Sequence, residues 1–130
     1  MSTRTAIFPT HPHALYREHG YSPAIRSGDL LFVSGMVGAH DDGSPEPDLQ
    51  AQVQLAFDNL HGVLEAAGCT FDDVVDLTFY MIDPDASVGF ILEGMKKAFS
   101  EPSPNVTAVG VNWLAGFQVE IKVTARIPTR

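Results

Sequence analysis

The chain has 130 residues, 45% of them apolar and 18% charged, enough for one domain around one core and too few for two. Acidic residues outnumber basic ones 16 to 8, and the formal net charge of −8 makes a surface that repels phosphate backbones. The basic residues are scattered, with Lys96-Lys97 the one adjacent pair, so RNA or DNA binding is disfavoured. A lone cysteine, Cys69, excludes an intramolecular disulfide framework and a Cys-rich zinc site. No apolar run reaches membrane length and the first residues lack a signal-peptide core, so the expectation is a soluble cytoplasmic protein.

Residues 1 to 20, rich in His and Pro, read as a loosely structured N-terminal arm, and residues 21 to 130 as a single domain. His11-Pro12-His13, with His19 nearby, is the one His cluster. A divalent site wants three or four convergent ligands, which a proline-stiffened arm does not offer, so no metal is expected. After the arm, AIRSGDLLFVSGMVG reads as two extended segments joined at Ser27-Gly28-Asp29, a hairpin signal. Ser34-Gly35 at the end of the second segment reads as a bulge or turn. Its flanks lack the G-x-S-x-G pattern of a nucleophile elbow, and no glycine-rich phosphate loop occurs. His40 and His61 read as surface or capping residues.

Residues 41 to 47 form a polar loop, and Asp48 stands where an N-cap belongs. Leu49, Val53, Ala56, Phe57, Leu60, Val63, Leu64 and Ala67 then recur at helical spacing, with Gly68 placed to end the helix in a left-handed conformation. VVDLTFYMI (74 to 82) is β-branched and aromatic, a strand. Asp83-Pro84-Asp85 breaks it and caps a second helix carrying Val88, Ile91, Leu92, Met95 and Phe99. Gly89 and Gly94 each cost about 1 kcal/mol of helix propensity against Ala, so that helix depends on packing or uses its glycines for close approach. PNVTAVGV (104 to 111) is a strand without a titratable group. A turn around Leu114-Ala115-Gly116 leads to QVEIKVTARIP, with Val119, Ile121, Val123 and Ala125 on one face and Glu120, Lys122, Thr124 and Arg126 on the other.

The order β-β-α-β-α-β-β is an α+β fold with two helices on one face of a mixed sheet. Both alternating sets in residues 74 to 82 contain bulky side chains, so the face without helices must also be covered, and identical subunits are the default source. Glu120 and Lys122 lie about 6.5–7 Å apart along one strand face. They read either as an acid and cation across a site or as an ordinary surface ladder, the commoner arrangement.

In order and spacing, several strings resemble the RidA/YjgF family, also called L-PSP endoribonuclease-like. They are Tyr21 seven residues before Gly28, GDLLFVSGMVG, LEAAGCTFDDVVDLTFYM, Pro104 to Val111, and VEIKVTARIP. The likeness runs from about residue 20 to 128. It implies a chorismate-mutase-like fold assembled as a homotrimeric barrel, with ligand clefts between subunits and no metal or organic cofactor. In the members that hydrolyse amino-acid-derived enamines and imines, an arginine on the penultimate strand clamps the substrate carboxylate, and water attacks the imine carbon to release ammonia. Carried over residue by residue, Tyr21 matches the cleft tyrosine, Ser34 and Gly35 the Ser-Gly after the second strand, and Thr107 a small hydroxyl position. Glu120 matches the acid that positions or activates water.

The arginine has no counterpart: Val106 occupies its position, Ala108 that of a following cysteine, and Glu93 that of an asparagine on the second helix. Losing one partner of a buried charge pair costs about 2–5 kcal/mol, on the order of 30- to 3,000-fold in binding. The resemblance with this departure implies a protein that binds, with or without hydrolytic deamination, a small imine- or enamine-like metabolite, with 2-aminoacrylate-type substrates disfavoured. Arg26, Lys96 and Lys122 are the cations that could stand in for the clamp. The alternatives are a non-catalytic ligand-binding or regulatory trimer and, last, an endoribonuclease.

Overall fold

The computed structural model describes residues 3–129. Among these, six strands form one sheet in the order β1-β2-β3-β6-β4-β5: β1 is Thr5–Ile7, β2 Ala24–Ser27, β3 Leu30–Val33, β4 Val74–Met81, β5 Asn105–Gly110 and β6 Val119–Arg126. The β4–β5 pair is parallel and the others are antiparallel. Parallel pairing needs a crossover, which α3 (Pro84–Ala98) supplies, whereas β2 and β3 join through Gly28-Asp29 alone. Gly28 has φ 62°, the left-handed geometry that this tight hairpin requires.

The long helix α2 (Leu49–Ala66) starts where Asp48 accepts a hydrogen bond from Ala51 N at 3.0 Å, and Gly68 follows its end at φ 77°. In α3 the cap is Asp83, which accepts from Ala86 N, with Lys96 and Lys97 in the last turn against the helix dipole. Of its two glycines only Gly94 serves close approach: a Cβ there would fall 2.4 Å from Phe57 Cε2 of α2, whereas Gly89 faces open space. Both helices cover the sheet face that carries Leu31, Val33, Leu77, Phe79, Val119, Ile121 and Val123, and these residues with Leu60 and Leu64 form the core.

The N-terminal stretch departs from the expected loose arm. Thr5–Ile7 pairs with Arg26, Ile25 and Ala24 as an edge strand, and α1 (Leu15–His19) plants Tyr16 in the core. Three residues carry too little periodicity to announce a strand, and pairing with β2 creates it.

Among the described residues no helix lies on the other sheet face. Leu30 and Phe32, opposite Arg126 and Thr124, are more than a third exposed there. Edge strand β5 is exposed along nearly its whole length. At one end of the sheet, buried Gln52 of α2 acts in two directions: its Nε2 donates to Glu46 O and its Oε1 accepts from Gln118 N, both at 2.7 Å.

Candidate functional site

The open face of β6 gathers the first group of site residues. Beyond β3 the chain keeps alongside β6, since Met36 and Ile121 exchange backbone hydrogen bonds at 2.7 and 2.8 Å. Gly35 is thereby set under Glu120, and a Cβ at 35 would fall 2.3 Å from Glu120 Cδ and 2.4 Å from its Oε2. The absent side chain at 35 is what lets the carboxylate settle onto the backbone.

Ser34 works as a fastener. Its Oγ donates to Ser22 O at 2.7 Å and its N–H to Pro23 O at 2.9 Å, tying residues 22 and 23 to the end of β3. Tyr21 follows Gly20, whose φ of 72° ends α1, and its ring meets Tyr16 edge-on at 5.0 Å. Tyr16 in turn stacks on His13 at 4.2 Å. Burial, and then the Glu120 charge, push the Tyr21 hydroxyl above its ordinary pKa.

Lys122 sits two residues along from Glu120, with Thr78 opposite it on β4, and its Nζ donates to Val33 O. Burial pushes the Glu120 carboxyl up, against the opposing pull of Lys122. Burial pushes the Lys122 amine down, against Glu120 and Asp76. In both groups burial disfavours the charged form and the charge of the other favours it, which sets them apart from a fully solvated ladder.

The remaining site residues lie elsewhere in the single chain. Thr107 pairs with Thr78 and shares the open face, two strands from Lys122 and so about 10 Å away. Val106 pairs with Leu77 and faces the helix side of the sheet, 44% exposed at its edge. Glu93 is on the exposed side of α3, 3.7 Å from Lys97. It borders a groove of about 680 Å³ with Leu92, Met95, Lys96, Phe99 and Glu101. Of the three cations considered as replacements for a clamp, Lys122 alone joins Glu120. Arg26 pairs in register with core residue Leu31 and donates to Gly28 O, and Lys96 belongs to the α3 groove.

The sequence did not single out Tyr16, Asp76 or Thr78. Strand alternation does carry one signal for the division: Val106 and Thr107 are neighbours in a strand and must face opposite ways. His13 is a packing residue, with its Nδ1 accepting from Leu15 N and burial lowering its pKa. No group of three or more metal-ligating side chains occurs among the described residues. Nor is any helix among them long and apolar enough to cross a membrane.

The profile of the family described as Endoribonuclease L-PSP matches residues 11–127. The chain is 62% identical over 129 residues to the RutC family protein YjgH of Escherichia coli, with 98% of each chain covered. It is 32% identical over 108 residues to the mouse 2-iminobutanoate/2-iminopropanoate deaminase, covering 81% of this chain and 79% of that one. A solved structure of protein YjgH superposes with a TM-score of 0.95 at 60% identity over 99% of this chain and all of that one. RidA from an Antarctic Psychrobacter superposes with 0.86 at 28% identity over 95% and 100%. The chain belongs to the RidA/YjgF family, and its mixed α+β fold is that family's fold.

Proposed function

We propose that this RidA/YjgF-family chain hydrolyses a small imine or enamine whose anionic group, if it has one, is not held at position 106. Water attacks the imine carbon as Glu120 takes its proton. The carboxyl returns that proton to nitrogen to give a carbinolamine, then passes the hydroxyl proton to the amino group as the C–N bond breaks, so that ammonia leaves with a carbonyl product. The observation that carries this reading is Glu120 itself, half-buried with its pKa raised and its carboxylate laid on Gly35. The deaminase name of the mouse relative supports the reaction type.

In this reading the cleft is completed by a second copy in a homotrimer. Its support is geometric: Glu120 with Tyr21, and Val106 with Glu93, lie on different sides of one sheet, and β5 is an exposed edge. Sedimentation or light scattering is expected to give three times the 14.1 kDa chain mass.

Valine offers apolar contact and no charge, so 2-aminoacrylate is expected to turn over about 30- to 3,000-fold more slowly than with an arginine-bearing relative. An ammonia-release assay on enzymatically generated imines, charged and neutral, tests this. Equal rates with 2-aminoacrylate would overturn the reading of Val106.

Val106 also favours a second reading, a ligand-binding trimer without chemistry. Glu120→Gln separates the two: a bound ligand whose conversion is unaltered by this change leaves Glu120 no acid–base role. Endoribonuclease activity ranks last on a net charge of −8. Salt-sensitive RNA binding at near-physiological ionic strength would revive it.

A further inference from the structure

A cavity of about 270 Å³ lies between α2 and the segment leading into α1, and none of the open-face residues lines it. We infer that it is a binding site for a small organic ammonium ion carrying one hydrogen-bond acceptor, a protonated amino alcohol being the simplest case. The site is independent of Glu120, of Val106 and of any hydrolysis.

Two polar side chains in its wall are each half committed. His13, only 8% exposed, accepts from Leu15 N at its Nδ1, so the neutral ring carries its proton on Nε2, which reaches no acceptor among the described residues. Asn59 donates through Nδ2 to Val37 O at 3.0 Å and to Ala39 O at 3.1 Å, which leaves its Oδ1 as an unused acceptor. Neither free end is sealed in protein, since among the described residues Ser87 Oγ is the one buried side-chain nitrogen or oxygen without a partner. The space that both side chains line is this cavity. It therefore offers a donor and an acceptor whose directions are set by bonds to the backbone.

The charge around them is of one sign. Asp41, Asp58 and Glu65 line the cavity at its exposed rim, and no lysine or arginine does. Asp58 is engaged by the neutral amide of Gln54 at 2.9 Å, and no ion pair among the described residues takes Asp41 or Glu65. Such a rim repels carboxylates and phosphates and favours a cation. The carboxylates and imidazoles do not converge as metal ligands, so the cation that fits is an organic one. An ammonium brings three donors and no acceptor, enough for Asn59 Oδ1 and the rim. The Nε2–H of His13 then calls for an acceptor elsewhere in the same molecule. Gly62 makes the room. It stands inside α2, where glycine weakens a helix, yet a Cβ there would meet Pro9 Cβ at an ordinary 3.8 Å, so no close packing requires it.

Titration of the full-length protein with ethanolamine hydrochloride at near-physiological salt, followed in ¹H–¹⁵N spectra, tests the assignment. Saturable shifts are expected around His13, Asn59 and Gly62. Ethylene glycol, which replaces the ammonium by a second hydroxyl, is expected to bind at least about ten-fold more weakly, and ammonium chloride, which lacks the hydroxyl, at least about three-fold. Gly62→Leu fills the space and is expected to abolish the shifts. Glu65→Gln, a change at an exposed side chain, is expected to weaken ethanolamine binding about two- to five-fold. Equal binding of the three probes, shifts spread over the acidic surface without saturation, or undiminished binding in either variant overturns the site. Because the probe series is read on the wild-type protein, a misfolded Gly62→Leu does not shelter the proposal.

Discussion

The two faces of β6 share one backbone and obey different rules. Val119, Ile121, Val123 and Ala125 point under the helices and are at most 1% exposed. Glu120, Lys122 and Thr124, their immediate neighbours, stay half-buried on the open side, two of them with shifted proton affinities. The covered face holds the fold through volume and contact. The open face retains ionisable groups whose partial desolvation opposes folding, which is reason to look for chemistry there. The contrast predicts that changes on one face cost stability and on the other cost function.

The largest separation is expected from Glu120→Gln, a loss of about 10²–10⁴-fold in ammonia release, equivalent to about 3–5 kcal/mol in barrier, with a urea midpoint that does not fall. Destabilisation without that loss would erase the distinction. Ile121→Ala, one residue away, is expected to lower unfolding free energy by about 2–5 kcal/mol while the folded fraction keeps its specific activity.

Two glycines sharpen the same contrast. Gly94→Ala drives a methyl into the Phe57 ring between α2 and α3, at about 1–3 kcal/mol of stability. Gly35→Ala meets only the end of a flexible carboxylate, so it is expected to cost less than about 1 kcal/mol while displacing Glu120 and lowering activity. Denaturation and rate measurements on both variants would expose an exchange of these roles.

The smallest effect expected is a titration shift. Lys122→Met removes the cation whose charge favours ionised Glu120, while Tyr21 stays beside it, so the carboxyl pKa moves further up. The acidic limb of the pH–rate profile should move to higher pH. A fixed or lowered limb would mean that Lys122 exerts no field on the acid.

Much of the covered face was legible from local rules. Asp48 and Asp83 cap their helices, Gly28-Asp29 turns the hairpin, and the α2 stripe faces the core because each depends on a few neighbouring residues. What stayed hidden depends on pairing across the chain. Thr5–Ile7 is a strand only beside β2, and Tyr16 is core only because Met36 and His13 close around it. The site followed the same division. Alternation put Glu120 and Lys122 on one side, whereas the seat at Gly35 and the bond to Val33 O come from residues about 85 to 90 positions away.

Gln52 carries a consequence for how far this sequence can drift. One amide serves a carbonyl at residue 46 and an N–H at residue 118, so its replacement must offer a donor and an acceptor from the same side chain at the same reach. Glutamate would offer acceptors alone and face the Glu46 carbonyl with its own charge; leucine would offer neither. The position is closed to ordinary substitution, although nothing in its own stretch of helix would reveal it.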